Sequence, residues 1–354
     1  MKKITLIIFY LLLVSSLNIA SAETRYQWRL AETWSKDSKI FGGAVQRMAK
    51  LAYELSNGKL VISTHSQEIH KKPLGVFNLV QSGEYQMGHS ASYYWKDRDI
   101  NTLFFTTLPL GMIATEQYAW FYHGGGLELM QKAYARHGML SFPGGNTGNQ
   151  MGGWFRKEIK SLDDMKGLKM NIPGLAGDAI IKLGVQSVNL PDDKLYTALE
   201  SGEIDALEWV GPSHDLGMGF HRVAPYYYTG WHEPATELQF LVNQKAYNAL
   251  PKELQSVLRA AMRLAAYDMY IQSYHVNINN LKKMRADYPN IKIRSFPSSV
   301  IRELRKQADW QLAELAEFGS PLTKDILESL RSYRDKARVW TRISDQAYLN
   351  NVGL

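Results

Sequence analysis

Glu208 stands in IDALEWVGP, residues 204–212, where a short apolar run gives way to a Gly-Pro turn, and His232 and Glu233 stand side by side in YYYTGWHEP, residues 226–234. Two carboxylates and a histidine are the residue types of a metal-assisted hydrolase, in which one Glu serves as base and the metal activates water. The usual fate of a Glu is solvent exposure. If buried, it needs something to offset the desolvation of its charge, or it takes up a proton. Motifs that would single out hydrolysis or phosphoryl chemistry do not occur: there is no HExxH and no GxSxG. GGNTG (Gly144 to Gly148) lacks the lysine and the strand-helix setting of a phosphate-binding loop.

The elements that must position these residues follow an α/β pattern. VFNLVQSGEYQMG from Val76 and LYTALESGEIDAL from Leu195 are the same phrase: an amphipathic helix, a Ser-Gly-Glu stop and a short apolar strand. In each, Gly83 or Gly202 stands where a helix C-terminus favours a residue free to take positive φ. The repetition predicts two lobes built alike, helices packed on a sheet in both. Strands are predicted over Tyr26–Ala31, Leu60–Thr64, Leu168–Gly174, Val185–Pro191 and Ile291–Arg294, with a helix from Phe41 through Glu54. From Pro251, taken as the first helical residue, to Ala286 the helical pattern hardly breaks, with Leu254, Val257, Leu258, Ala261, Leu264 and Ala265 on one face. At 1.5 Å per residue such a helix is about 50 Å long, enough to run along both lobes. Two further helices are predicted over Ser298–Phe318 and Leu322–Asn350.

At the N-terminus, Lys2 and Lys3 precede the apolar run Ile4–Val14 and the small residues Ala20-Ser21-Ala22. This is the pattern of a secretory signal peptide cleaved after Ala22, with a run shorter than the ~20 residues of a spanning helix. The expectation is an exported, periplasmic chain. About 330 residues then remain, more than one core usually serves. Without Lys2 and Lys3 the formal net charge drops from +7 to +5. The charges are dispersed, so nucleic acid is a poor partner. There is no cysteine, which excludes disulfides, thiolate metal sites and Cys nucleophiles.

The phrases QMGGWF (Gln150–Phe155), DDMKGLKMNIPG, LESGEIDALEWVGP and YYYTGWHEP, in this order, make the chain resemble a TRAP-transporter solute-binding protein of the DctP family, most of all the TakP-like 2-oxo-acid binders. The likeness covers nearly all of the mature chain, including the tail YRDKARVWTRISDQAYL. It implies a two-lobed clamshell receptor without catalysis: lobe I over residues 23–150 plus about 236–270, lobe II over 151–235 plus about 271–300, and a helical tail over 301–354. Such a receptor captures a small organic acid of the 2-oxo or hydroxy monocarboxylate type and hands it to TRAP membrane permease subunits. The resemblance also implies a cation, commonly sodium, held by Gln150, Glu208, the backbone carbonyl of Trp209, and Glu233. An all-oxygen set of this kind is what hard cations select. That cation would offset the burial of Glu208.

One position departs from the family pattern. Its usual anchor for the ligand carboxylate is an Arg in the strand written here LKMNIPG, and this chain has Asn171 there. Asn offers neutral hydrogen bonds where Arg offers a charged fork. Two outcomes follow: a divalent cation such as calcium restores neutrality, or the solute is a neutral polar molecule or carries its negative charge only at the metal. Arg98, Arg156 and Arg222 stand in polar contexts and are poor substitutes. Tyr94 and Trp231 are read as solute contacts beside Gln150, Asn171 and Trp209, whereas Trp95, Trp154 and Phe155 fit either cleft or core. His232 is expected to turn away from the cleft by alternation with Glu233 and to be packed. The rival classes are the metal-assisted hydrolase and a periplasmic scaffold with a disabled cleft. Hinges are expected near Gln150 and Ala235, and Leu304, Trp310, Leu312, Leu315 and Phe318 of the tail could serve either a homodimer or packing against the lobes.

Overall fold

The computed structural model describes residues 24–353, so the proposed leader lies outside the described residues. Eleven strands follow in chain order among them: β1 (Tyr26–Glu32), β2 (Leu60–His65), β3 (Met87–Ser90), β4 (Met139–Asn146), β5 (Gly153–Phe155), β6 (Lys169–Asn171), β7 (Gln186–Val188), β8 (Ala206–Leu207), β9 (Tyr226–Tyr228), β10 (Glu237–Asn243) and β11 (Lys292–Arg294). They form two sheets, one ordered β2-β1-β3-β10-β4 and the other β11-β9-β5-β8-β6-β7. The chain therefore builds the first sheet, crosses to the second after β4, returns through β10, and crosses again to add β11. β10 runs antiparallel to both β3 and β4, whereas β1 is parallel to β2 and β3. The doubled phrase occupies equivalent places, its strands being β3 and β8 inside their sheets, with Gly83 at φ 81° and Gly202 at φ 78° ending the helices before them.

Helices cover both sheets. Those that bear on the site are α1 (Phe41–Leu55), α2 (Asp192–Ser201), α3 (Pro212–Met218), α4 (Lys252–Asp287), α5 (Ser298–Phe318) and α6 (Pro321–Thr341). α4 has 36 residues, about 54 Å at 1.5 Å per residue. Its Leu254, Leu258, Ala261, Met262 and Ala265 pack with Leu30, Met48 and Phe240 of the first lobe, and Met284 packs with Trp154 and Tyr227 of the second. Truncating a fully buried residue such as Leu258 costs about 2–5 kcal/mol. α5 crosses in the opposite sense: Val300 and Leu304 join the second lobe's core, Leu312 the first's. The lobes are thus tied by two helices as well as by the two inter-sheet crossings.

Several expectations are corrected. Pro251 has ψ 148°, so it caps α4 and the helix begins at Lys252. Leu264, which shares the helical period of the buried residues, is 53 % exposed; Trp310 and Phe318 of α5, read as serving either a dimer or packing on the lobes, are exposed. The last predicted helix runs from Pro321 to Val352 with a π-helical turn at Arg342–Gln346.

Candidate cation and solute site

Three chain segments meet between the lobes. The two crossings pair directly, Thr147 N–H donating to the Thr236 carbonyl at 3.1 Å and Gln150 N–H to that of Glu233 at 3.0 Å. Beside them the loop after β8 is zipped on, Met151 N–H donating to the Val210 carbonyl at 2.9 Å and Glu208 N–H to that of Asn171 at 2.9 Å. Glycine makes the approach possible: a Cβ on Gly230 would lie 1.9 Å from the Gln150 carbonyl oxygen, and Gly153, at φ 109°, packs on the Leu207 carbonyl. Gln150, Glu208 and Glu233 are brought together by backbone pairing, not by their side chains.

All three are buried, at 4 %, 2 % and 3 % exposure. Gln150 Nε2 donates to Thr147 Oγ1 at 3.0 Å, which leaves its Oε1 facing inward without a partner; Glu208 Oε1 also lacks one. Thr236 Oγ1 donates to Glu233 Oε2. Burial pushes Glu208 well above the usual carboxylate range, with the neighbouring Asp215 adding to the effect. Glu233 is pushed up to about 7 by burial and then by Glu208. Among the described residues no Lys or Arg pairs with either carboxylate. Arg98 binds Asn78 and Gln81, Arg156 lies by Gly202 and Arg222 by Gly219. Unpaired buried oxygens beside two carboxylates call for a cation, because each costs its full desolvation when left unsatisfied. The donor set is oxygen-rich and fits a hard ion.

Of the residues expected at the solute, Tyr94 is brought there. Its ring lies 4.7 Å from Tyr93, and both phenols, held protonated by burial, feel Glu208 and Glu233. Trp209 is half-buried on the other wall, its ring centroid 6.5 Å from that of Phe41. Asn171 is buried and tied to the backbone, Oδ1 accepting from Leu190 N–H at 2.8 Å and Nδ2 directed at the Glu208 carbonyl, 3.4 Å away. Trp231 packs in the second lobe's core with Phe155 and Phe296. Trp95, Trp154 and Phe155, left open between cleft and core, belong to the core.

One residue escaped the sequence reading and another is placed differently from it. Asp215, in the first turn of α3 and only 1 % exposed, accepts from Tyr227 Oη at 2.7 Å, Trp154 Nε1 at 2.9 Å, Gly211 N–H at 3.0 Å and Val210 N–H at 3.2 Å. It fixes the turn that carries Glu208 and Trp209. His232 is packed, as expected, but not turned away: it is fully buried, neither ring nitrogen has a partner, and Nε2 lies 3.7 Å from Glu208 Oε1. Asp215 could have been suspected only from a polar residue following Pro212 at a helix start.

Comparison with known proteins agrees with this geometry. Residues 30–317 match the model of bacterial extracellular solute-binding protein, family 7 (DctP). A monocarboxylate 2-oxoacid-binding periplasmic protein of Nostoc sp. is 38 % identical over 325 residues, 92 % of this chain and 88 % of that one. A TRAP periplasmic solute-binding protein of Colwellia psychrerythraea, solved with calcium and pyruvate, is 59 % identical with TM-score 0.91, covering 93 % of this chain and all of that one. Another from Pseudoalteromonas atlantica, solved with sodium and pyruvate, is 59 % identical with TM-score 0.90, covering 92 % and 99 %. Two α/β lobes with buried oxygen ligands where their connections meet, read together with these matches, place the chain in family 7 of the bacterial extracellular solute-binding proteins, the periplasmic DctP-type receptors of TRAP transporters.

Proposed function

We propose that this receptor captures a 2-oxo or hydroxy monocarboxylate through a cation held by Gln150 Oε1, the Glu208 and Glu233 carboxylates and the Trp209 carbonyl. The observation that carries this reading is that backbone pairing sets Gln150 against Glu233 and Met151 against Val210, while Gln150 Oε1 and Glu208 Oε1 are buried and partnerless with no Lys or Arg on either carboxylate. The ion supplies the positive charge that the site's residues lack and gives a chelating carboxylate and keto oxygen a point of attachment. Tyr94 and Asn171 contribute neutral donors, and Trp209 and Phe41 shape the apolar wall. Trp231 acts from behind, by packing.

Charge arithmetic favours calcium here. Two ionised carboxylates and a monovalent ion leave the cleft at minus one before an anion enters, against like charge in low dielectric. A divalent ion leaves it neutral. The two similar receptors were solved with pyruvate, one with calcium and one with sodium, which supports an acid over the neutral solute that Asn171 had left open and leaves the preference for calcium to the charge arithmetic alone. The hydrolase and scaffold readings lose their ground, the family being one of receptors.

Lobe I is assigned to residues 23–150 plus about 236–270, lobe II to 151–235 plus about 271–300, with closure about the paired crossings delivering solute and ion to the permease. Maturation is assigned to cleavage after Ala22. Calorimetry on chelator-stripped protein tests the central reading: pyruvate should bind with calcium and lose at least ~10-fold in affinity when calcium is withdrawn. Equal binding in chelator would refute it.

A further inference from the structure

His232 belongs to none of the roles assigned so far. It is fully buried, and both of its ring nitrogens lack a partner. A neutral imidazole carries one N–H donor and one lone pair, and leaving both unmet in the interior costs free energy. The alternation that would turn it from Glu233 applies to strands, and Trp231–Glu233 is not one. The ring instead comes to the Glu208 side. Ligand-capable atoms of Glu208, His232 and Glu233 all lie within 4.8 Å of one another, and His232 Nε2 is 3.7 Å from Glu208 Oε1. Two ligand atoms each about 2.1 Å from one ion stand roughly 3–4.2 Å apart; the 3.7 Å pair satisfies this, and the 4.8 Å bound on the whole set leaves at most a small contraction around the ion.

We propose that His232 gives the site a second ligand set, with one ring nitrogen joining the Glu208 and Glu233 carboxylates around a first-row divalent transition ion. Imidazole nitrogen suits zinc, iron, nickel and copper, calcium takes oxygen, and manganese, which favours oxygen, still accepts a histidine placed between carboxylates. The same cleft then loads in two ways, through Gln150 and the Trp209 carbonyl for a hard ion, and through His232 for a borderline one. This rests on the cation reading above, and the test separates the two.

The mature protein is stripped with chelator and loaded with manganese alone, and pulsed EPR reads nitrogen hyperfine coupling at the ion. Expected is a coupling that is lost on adding calcium, absent from His232→Gln, and absent from Glu208→Gln because the ion no longer binds. Calorimetry should show zinc affinity falling at least ~10-fold in His232→Gln while calcium affinity changes less than ~3-fold. A manganese signal without nitrogen coupling, a coupling that persists in His232→Gln, or equal losses for zinc and calcium overturns the inference while calcium binding still stands. If the variant does not fold, the wild-type spectrum with and without calcium decides alone. Calcium binding that is absent from wild type or unaffected by Glu208→Gln overturns the cation reading itself.

Discussion

Glu208 is the residue on which the chemistry turns, because burial without a basic partner leaves it two states, protonated or bound to an ion. Glu208→Gln keeps the shape and removes the charge. Calcium affinity is expected to fall by ~100-fold, about 2.7 kcal/mol, read by calorimetry. An affinity within a few-fold of wild type would contradict the assignment. The metal-free protein should also report its buried acids. Glu233 and Glu237 are raised to about 7 and Glu32 to about 8 by burial, so the folded state holds protons that the unfolded chain has released above its ordinary carboxylate range. The native state then binds more protons, and stability falls as pH rises through those values. His89 and His214, held neutral by burial, act oppositely, but their effect is complete by about pH 6.5. Without metal, the melting temperature is therefore expected to decline between pH 6.5 and about 8, and saturating calcium should remove the part of the decline that Glu233 contributes, leaving that of Glu32 and Glu237. The grouping of Gln150, Glu208 and Glu233 was legible because each stands in a distinctive phrase. Asp215 was not: SHDLGM reads as a solvated helix start, and its burial is decided by Trp154 and Tyr227 from strands distant in sequence.

At the level of elements, the site depends on three stretches of backbone held closer than side chains allow. Asp215 holds the 208–212 turn from below, and α4 clamps α3 from above, Asn277 Oδ1 accepting from Ser213 N–H at 2.7 Å and Asn280 Nδ2 donating to the Pro212 carbonyl at 2.7 Å. A pair of alanine substitutions distinguishes this close approach from helix propensity. Gly230→Ala places its Cβ against the Gln150 carbonyl and is expected to abolish calcium binding and lower the melting temperature. Gly217→Ala, in an exposed turn of α3 with nothing within 4 Å, is expected to stabilise by about 0.5–1 kcal/mol and leave binding unchanged. Equal effects in thermal melts would deny the packing role of Gly230. Periodicity exposed the long elements, and α1, α4 and α5 begin and end within two residues of the reading. It could not give the sheet order. β5, β8 and β9 are two or three residues long, and their pairing is set by contacts remote in sequence. Leu264 fitted the helical period equally well, yet the period cannot say where the core ends.

For the whole molecule, closure and association divide the apolar surface between them. Lys96 meets Asp178 at 2.6 Å and Gln67 meets Asp192 at 3.0 Å across the cleft, while Phe41, Val210, Leu238 and Met269 form a shared cluster behind them. Closure therefore leaves the opposite face of α4 uncovered. There Leu264, Tyr267, Ile271, Tyr274 and Ile278 recur every three or four residues at 47–64 % exposure, the spacing that receives a helix. The chain carries a helix to match. Trp340, Ile343, Tyr348 and Leu349 are 63–68 % exposed, and the segment beyond Thr341 has its main packing against the end of α6. For an apolar tail with so much exposed surface the prediction is a second copy whose α4 it covers. The two-fold relation then supplies the same contact twice. α6 itself packs inward, through Ile326, Leu327 and Leu330, so the packing reading holds for that part of the tail, and the homodimer reading rests on the segment beyond it. Sedimentation velocity at micromolar concentration is expected to show a dimer, and Trp340→Glu with Ile343→Glu a monomer that still binds calcium. A monomeric wild type would return the stripe on α4 to an unexplained surface, and a variant that lost calcium binding as well would mean that the tail supports the cleft rather than a partner.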